Sequence, residues 1–126
     1  MIHHVSIAVS DLERSGAFYD ALFAALGWRR HTDSAERVGW GIAKPWFFIT
    51  NGEGGPVAAG SERVCFSASG MIAVRGAYES ALQAGGTDDG EPSQRPELGT
   101  SYYSAYLLDP DGYRLEVAVE TESARF

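Results

Sequence analysis

From Val5 the chain alternates: Val5, Ile7 and Val9 are apolar, and His4, Ser6 and Ala8 between them are small or polar. A period of two is that of a strand with one face buried. At Leu12 the period changes, and Leu12, Phe18, Leu22, Phe23 and Leu26 fall on one stripe of a helix. Ser10 or Asp11 is placed to cap its start and Gly27 to end it. The same switch recurs at an offset of 59. RVCFSASGMIAVRGAYESALQAGG, from Arg63, aligns without a gap on HVSIAVSDLERSGAFYDALFAALG, from His4. It pairs Val5 with Val64, Ile7 with Phe66, Ser10 with Ser69, Tyr19 with Tyr78, Phe23 with Leu82 and Gly27 with Gly86. The chain is a duplication.

After each helix come three short extended pieces. They are GWRRHTDS, ERVGWGIA and PWFFITN in the first half, and TDDGEP, SYYSAYLLD and YRLEVAVE in the second. Lys44-Pro45 and Asp109-Pro110-Asp111-Gly112 are the turns before the last piece of each half. The pattern predicts an α+β fold of two βαβββ modules in a single domain, 1–126, with module one at 1–52 and module two at 61–122. Residues 51–62 read as a Gly-rich connector, and 90–100 as a loop long enough to cross the mouth of a site.

Parity sorts the strand faces. The first strand sets Val5, Ile7 and Val9 against His4, Ser6 and Ala8, and its repeat sets Val64, Phe66 and Ala68 against Arg63, Cys65 and Ser67. The last strand sets Leu115, Val117 and Val119 against Arg114, Glu116 and Ala118. One face of each suits a helix, and the other suits the lining of a hollow. On that reading His4, Arg63 and Glu116 point into one shared concave space, and imidazole plus carboxylate suits a divalent ion.

Composition narrows the partners. A length of 126 residues supports one ordinary domain. The formal net charge of −7 argues against a nucleic-acid backbone as partner, and no apolar run is long enough to span a membrane. Cys65 is the only cysteine, which excludes an internal disulfide. No export signal is legible at MIHHVSIAVSDL, so a reducing, cytoplasmic setting and a small-molecule ligand are expected.

His4-x-Ser-Ile-x-Val-x-Asp-Leu12, Phe18-Tyr19, Leu26-Gly27 and Tyr106-x-x-Asp-Pro-Asp-Gly-x-x-x-Glu116 together resemble the vicinal oxygen chelate superfamily. That group takes in glyoxalase I, bleomycin-resistance proteins, fosfomycin-resistance transferases and extradiol dioxygenases. The resemblance implies a half-barrel of paired modules with a concave cavity and outer helices, commonly as a homodimer. It implies metal ligands (nickel, manganese, zinc or iron) at His4, at position 63, at Glu116 and in some branches at position 48. It also implies a cavity-facing Ser-x-Tyr, matched here by Ser104 and Tyr106.

The chain keeps His4 and Glu116 but has Arg63 and Phe48 at the other two places. Arginine carries only donors and cannot ligate an ion. A guanidinium there is expected to pair with Glu116 and supply the ion's charge, with Trp46, Phe48, Tyr102 and Tyr106 as walls. Two functions follow as expectations. One is a metal-free binding protein or enzyme with His4 or Glu116 moving a proton and Arg63 holding the ligand. The other is a metal-dependent lyase, isomerase or transferase using His4 and Glu116 as ligands.

Overall fold

The computed structural model describes residues 1–52 and 62–120. Most of the predicted connector, and both ends of the predicted second module, lie outside these residues. The element order is β1 (Val5–Val9), α1 (Leu12–Ala24), β2 (Arg29–Asp33), β3 (Arg37–Gly41), β4 (Phe47–Asn51), β5 (Val64–Ser67), α2 (Met71–Gln83), β6 (Thr87–Gln94), β7 (Tyr102–Leu108) and β8 (Arg114–Glu120). It is the α+β arrangement of two βαβββ modules. Each module makes one open four-stranded sheet, ordered β1-β4-β3-β2 and β5-β8-β7-β6, with the first and last strands of the module side by side and parallel.

The duplication is retained in three dimensions, since both ends of α2 lie 59 residues beyond those of α1. Asp11 caps α1 by accepting the Arg14 N–H at 3.0 Å, and Gly27 follows the helix in the left-handed region at φ 79°. The second copy differs at both ends, and α2 starts at Gly70 with no side-chain cap. Gly85 takes the left-handed conformation, at φ 109°. Gly86, the residue matched to Gly27, is required by packing: a Cβ there would lie 2.7 Å from the Phe18 ring.

The helices cover the faces that parity assigned to them. Phe18, Tyr19, Leu22 and Phe23 of α1 are buried with Val38, Trp40, Phe47 and Ile49, and Val74, Ala77 and Ala81 of α2 with Ala105, Leu107, Leu115 and Val117. The helices also pack on each other, large side chains of α1 beside small ones of α2. Phe66 of β5 enters the first module's aromatic cluster, with ring centroids 4.9 Å from Phe23, 5.3 Å from Phe47 and 5.6 Å from Trp28. One apolar core therefore serves both modules.

The turn before β8 ties the modules at a second point. Asp111 accepts the Ser10 backbone N–H at 2.8 Å and its hydroxyl at 2.6 Å, and pairs with Arg14 at 2.8 Å. The Tyr113 hydroxyl donates to the Ala8 carbonyl at 2.6 Å. The Asp-Pro-Asp-Gly stretch was legible as a turn, and the structure makes it a clamp between β1 and β8.

The expected loop at 90–100 is strand as far as Gln94 and turn or irregular backbone beyond it. β6 runs through Pro92 to Gln94 and pairs with β7, with register breaks between Asp88, Gly90 and Ser93. An edge strand tolerates a proline because one side of its backbone needs no partner, and its bulges absorb the irregular spacing. No helix among the described residues is long and apolar enough to cross a membrane.

Candidate small-molecule site

β5, β8 and β7 present the polar face of the second sheet. The ladder sets Cys65 and Tyr106 opposite Glu116, and Ser104 opposite Ala118. Parity then places Arg63, Cys65, Glu116, Tyr102, Ser104 and Tyr106 on one side. Glu116 is only 7% exposed and accepts a hydrogen bond from the Tyr102 hydroxyl at 2.9 Å. Burial, and then that bond, raise Tyr102 above the usual phenol range, so it stays a donor.

Cys65 is exposed as a residue, but its sulfur lies 3.9 Å from the same hydroxyl. Burial of the thiol, and then the nearby Glu116 charge, push it up to about 11. A thiol held that high is almost wholly protonated at neutral pH and is a poor nucleophile. Glu116→Gln removes a charge that opposes the thiolate, so iodoacetamide should alkylate Cys65 faster in that variant at pH 8. An unchanged rate would show that the carboxylate and thiol are not coupled.

Arg63 does not pair with Glu116. Its guanidinium carbon lies 4.0 Å from the Tyr106 ring centroid, and its NH2 group reaches Asp89 at 3.4 Å. The reason is register: Arg63 precedes a ladder that begins at Val64 opposite Leu115, so it meets Glu116 only diagonally. Its Nε is buried without a hydrogen-bond partner. Arg95, which sequence reasoning did not single out, lies 4.4 Å from the same ring. Its Nε donates to Ser104 Oγ at 3.2 Å, and one terminal nitrogen donates to the carbonyls of Gly90, Glu91 and Ser104. It reaches the site through the bulged end of β6, which no periodicity in the chain reveals.

The polar face of the first sheet is a separate patch. His4 is exposed and sets its ring edge-on to Phe48 at 5.4 Å, and Arg37 lies 4.8 Å over that phenyl ring. Trp46 turns instead to Trp28, at 5.4 Å, and leaves the Phe48 patch. Among the described residues no hydrogen bond, ion pair or ring contact joins His4 to Arg63 or Glu116. None of these residues forms a group of three or more His, Cys, Asp or Glu able to hold a metal ion. The expected meeting of positions 4, 63 and 116 in one hollow thus has no contact among the described residues to support it.

Such a donor set does not fit the ion that the resemblance implies. Position 63 offers a cation, position 48 a hydrocarbon ring, and His4 stands apart from Glu116. A surface groove lined by Leu12, Arg30, Asp33, Ser34 and Val38 is no alternative site. There Arg30 is already paired with Asp20 and Asp33.

The family model described as Glyoxalase/Bleomycin resistance protein/Dioxygenase superfamily matches residues 1–117. A glyoxalase/bleomycin resistance protein from Albidiferax ferrireducens is 31% identical with a TM-score of 0.80, covering 93% of this chain and 96% of that one. A glyoxalase/bleomycin resistance protein/dioxygenase family enzyme from Burkholderia phytofirmans is 19% identical with a TM-score of 0.72, covering 94% and 98%. The fosfomycin resistance protein FosX from Mesorhizobium loti is 21% identical with a TM-score of 0.71, covering 97% and 93%. The last two likenesses are of fold alone. No curated protein matches the chain in sequence.

Proposed function

Since the chain belongs to the glyoxalase/bleomycin resistance protein/dioxygenase superfamily, we propose that it binds a small anionic molecule at the polar face of β5, β8 and β7, without a metal ion. The observation that carries this reading is the state of Arg63. Its guanidinium carbon lies over the Tyr106 ring, 4.0 Å from the centroid, with one long contact at 3.4 Å to Asp89. A stacked guanidinium keeps its N–H edge for paired oxygens, as in a carboxylate or phosphonate. Glu116 stands on the same face and supplies a base if the ligand is turned over.

The protein acts as a homodimer in this reading, because a second copy is what brings a His4 face against a Glu116 face. The lone cysteine suits a reducing cytoplasm. A metal-dependent lyase, isomerase or transferase is the second reading. It is favoured by Glu116, a buried carboxylate on that face that accepts from the Tyr102 hydroxyl.

Thermal unfolding with fosfomycin, bleomycin, glutathione conjugates and divalent ions separates the two. An anionic compound at a hundred times its Kd should add about 2.7 kcal/mol, and Arg63→Gln should abolish that shift. Wild type purified without chelator should carry no stoichiometric ion, whereas Arg63→His, which adds an imidazole beside Cys65 and Glu116, should acquire one. A ligand shift that survives Arg63→Gln overturns the anion reading. Tight stoichiometric metal lost on both His4→Ala and Glu116→Gln establishes the second.

A further inference from the structure

The Arg63 face holds a second cation to which the proposed reading gives no role. The guanidinium carbons of Arg63 and Arg95 lie 4.0 and 4.4 Å from the centroid of the same Tyr106 ring. Register brings them to it from opposite ends of β7. Arg63 precedes Val64, which stands beside Leu115 and so on the Leu107 side of Tyr106, whereas Arg95 bonds Ser104 on the other side. Like charges gathered at one ring repel, so the contacts that hold each of them matter. Arg63 has one long contact, 3.4 Å to Asp89, and its Nε is buried with no partner. Arg95 has the Ser104 hydroxyl and three carbonyls, and its backbone N–H donates to the Tyr102 carbonyl at 2.8 Å. Those side-chain acceptors sit on both strands, Gly90 and Glu91 on β6 and Ser104 on β7, so the planar guanidinium joins the bulged edge strand to its neighbour. Gly90 completes the support: at φ 152° it has a conformation that favours glycine, and a Cβ there would lie 2.8 Å from Tyr106 Cδ2. The ring therefore rests on the β6 backbone and on an anchored Arg95, and Arg63 is the weakly held member of the group.

We infer that Arg95 is a positioning residue of the anion site: it fixes the Tyr106 ring, and the ring fixes where the Arg63 guanidinium meets a ligand. The inference rests on the reading of Arg63 given above. Arg95 acts through its shape, because its Nε and one terminal nitrogen are spent on the protein. A lysine ammonium carries the same charge at a single point and does not offer the fork that serves the Ser104 hydroxyl and the carbonyls of both strands together.

The test reads Arg63 before any ligand is added. In the full chain labelled with nitrogen-15, the Arg63 Nε–H resonance, identified by its loss in Arg63→Gln, should carry a ring-current shift from Tyr106. Arg95→Gln and Arg95→Lys should each remove most of that shift and speed exchange of the proton with solvent. Ser104→Ala, which takes away one acceptor of Arg95 and keeps the ring, should do so in part. In calorimetric titration with fosfomycin, a phosphonate, both Arg95 variants should weaken binding by about tenfold, the scale of one lost hydrogen bond between charged groups. Circular dichroism verifies the fold, and Ser104→Ala carries the test if the Arg95 variants unfold. An Arg63 resonance unmoved in Arg95→Gln overturns the inference. So does a normal Arg63 resonance in Arg95→Lys, which would make charge the operative property. Loss of fosfomycin binding with Arg63 unmoved overturns it as well and makes Arg95 a direct ligand contact. An Arg63 shift lost in both Arg95 variants upholds it even when wild type binds no fosfomycin, a failure that counts against the anion reading instead.

Discussion

Phe66→Ala should lower stability by about 4 kcal/mol, within the range for truncating a buried phenylalanine, and the melting temperature by roughly 15 °C. Phe66 is 4% exposed and belongs to β5, yet its ring neighbours Phe23, Phe47 and Trp28 all come from the first module. Truncation therefore opens a cavity at the junction of the two halves, beyond the area lost by one strand. The duplication gives each module its own sheet and helix, so a weakened junction should also separate their unfolding. Expected are a broadened calorimetric transition and faster amide exchange in α2 and β5 than in α1. Phe66→Leu, which retains most of the volume, should cost less than about 1.5 kcal/mol. A sharp transition shifted by under 3 °C would show that the modules do not depend on this ring.

A loss of about 3 kcal/mol is expected for Asp109→Ala. Asp109 is 3% exposed and accepts the Tyr19 hydroxyl at 2.7 Å and the backbone N–H groups of Asp111 and Tyr113, both at 2.9 Å. Removing the carboxylate leaves a core phenol and two turn amides without their acceptor, each worth about 1–3 kcal/mol, while relieving the cost of burying the charge. It should also loosen the clamp through Asp111 and Tyr113 that sets β8, and with it Glu116, against β1. Weaker ligand binding at the Arg63 face is the functional readout.

The same residue yields a pH dependence. Burial raises the Asp109 carboxyl above its ordinary value of 3.8, outweighing the three hydrogen bonds that favour its charged form. The folded chain then keeps this proton to a higher pH than the unfolded chain does. Its contribution is complete below 3.8 and is lost as pH rises through the folded value. Chemical denaturation across that window should show wild type losing stability relative to Asp109→Asn as pH increases. A difference that does not vary with pH would mean the carboxyl titrates alike in both states.

Much of the fold was legible because it rests on local regularities. Alternation at Val5–Val9 and at 115–119, the stripe from Leu12 to Leu26, and the gapless repeat each depend on the period of one element. All are retained in the structure, down to the common offset of the two helices. Parity by itself sorts the side chains of each strand by face, Arg63 with Cys65 and Glu116 with Arg114, and leads to the expectation that His4, Arg63 and Glu116 share one hollow. Only the tertiary structure decided which faces meet. Helix α1 packs on α2, and no residue spacing encodes that packing. Register sent Arg63 to Tyr106 and Asp89 in place of Glu116, a bulged edge strand carried Arg95 into the site, and the acidic turn became a clamp on Ser10. Each is a contact between residues distant along the chain, formed by the fit of surfaces whose shapes exist only after the elements have packed.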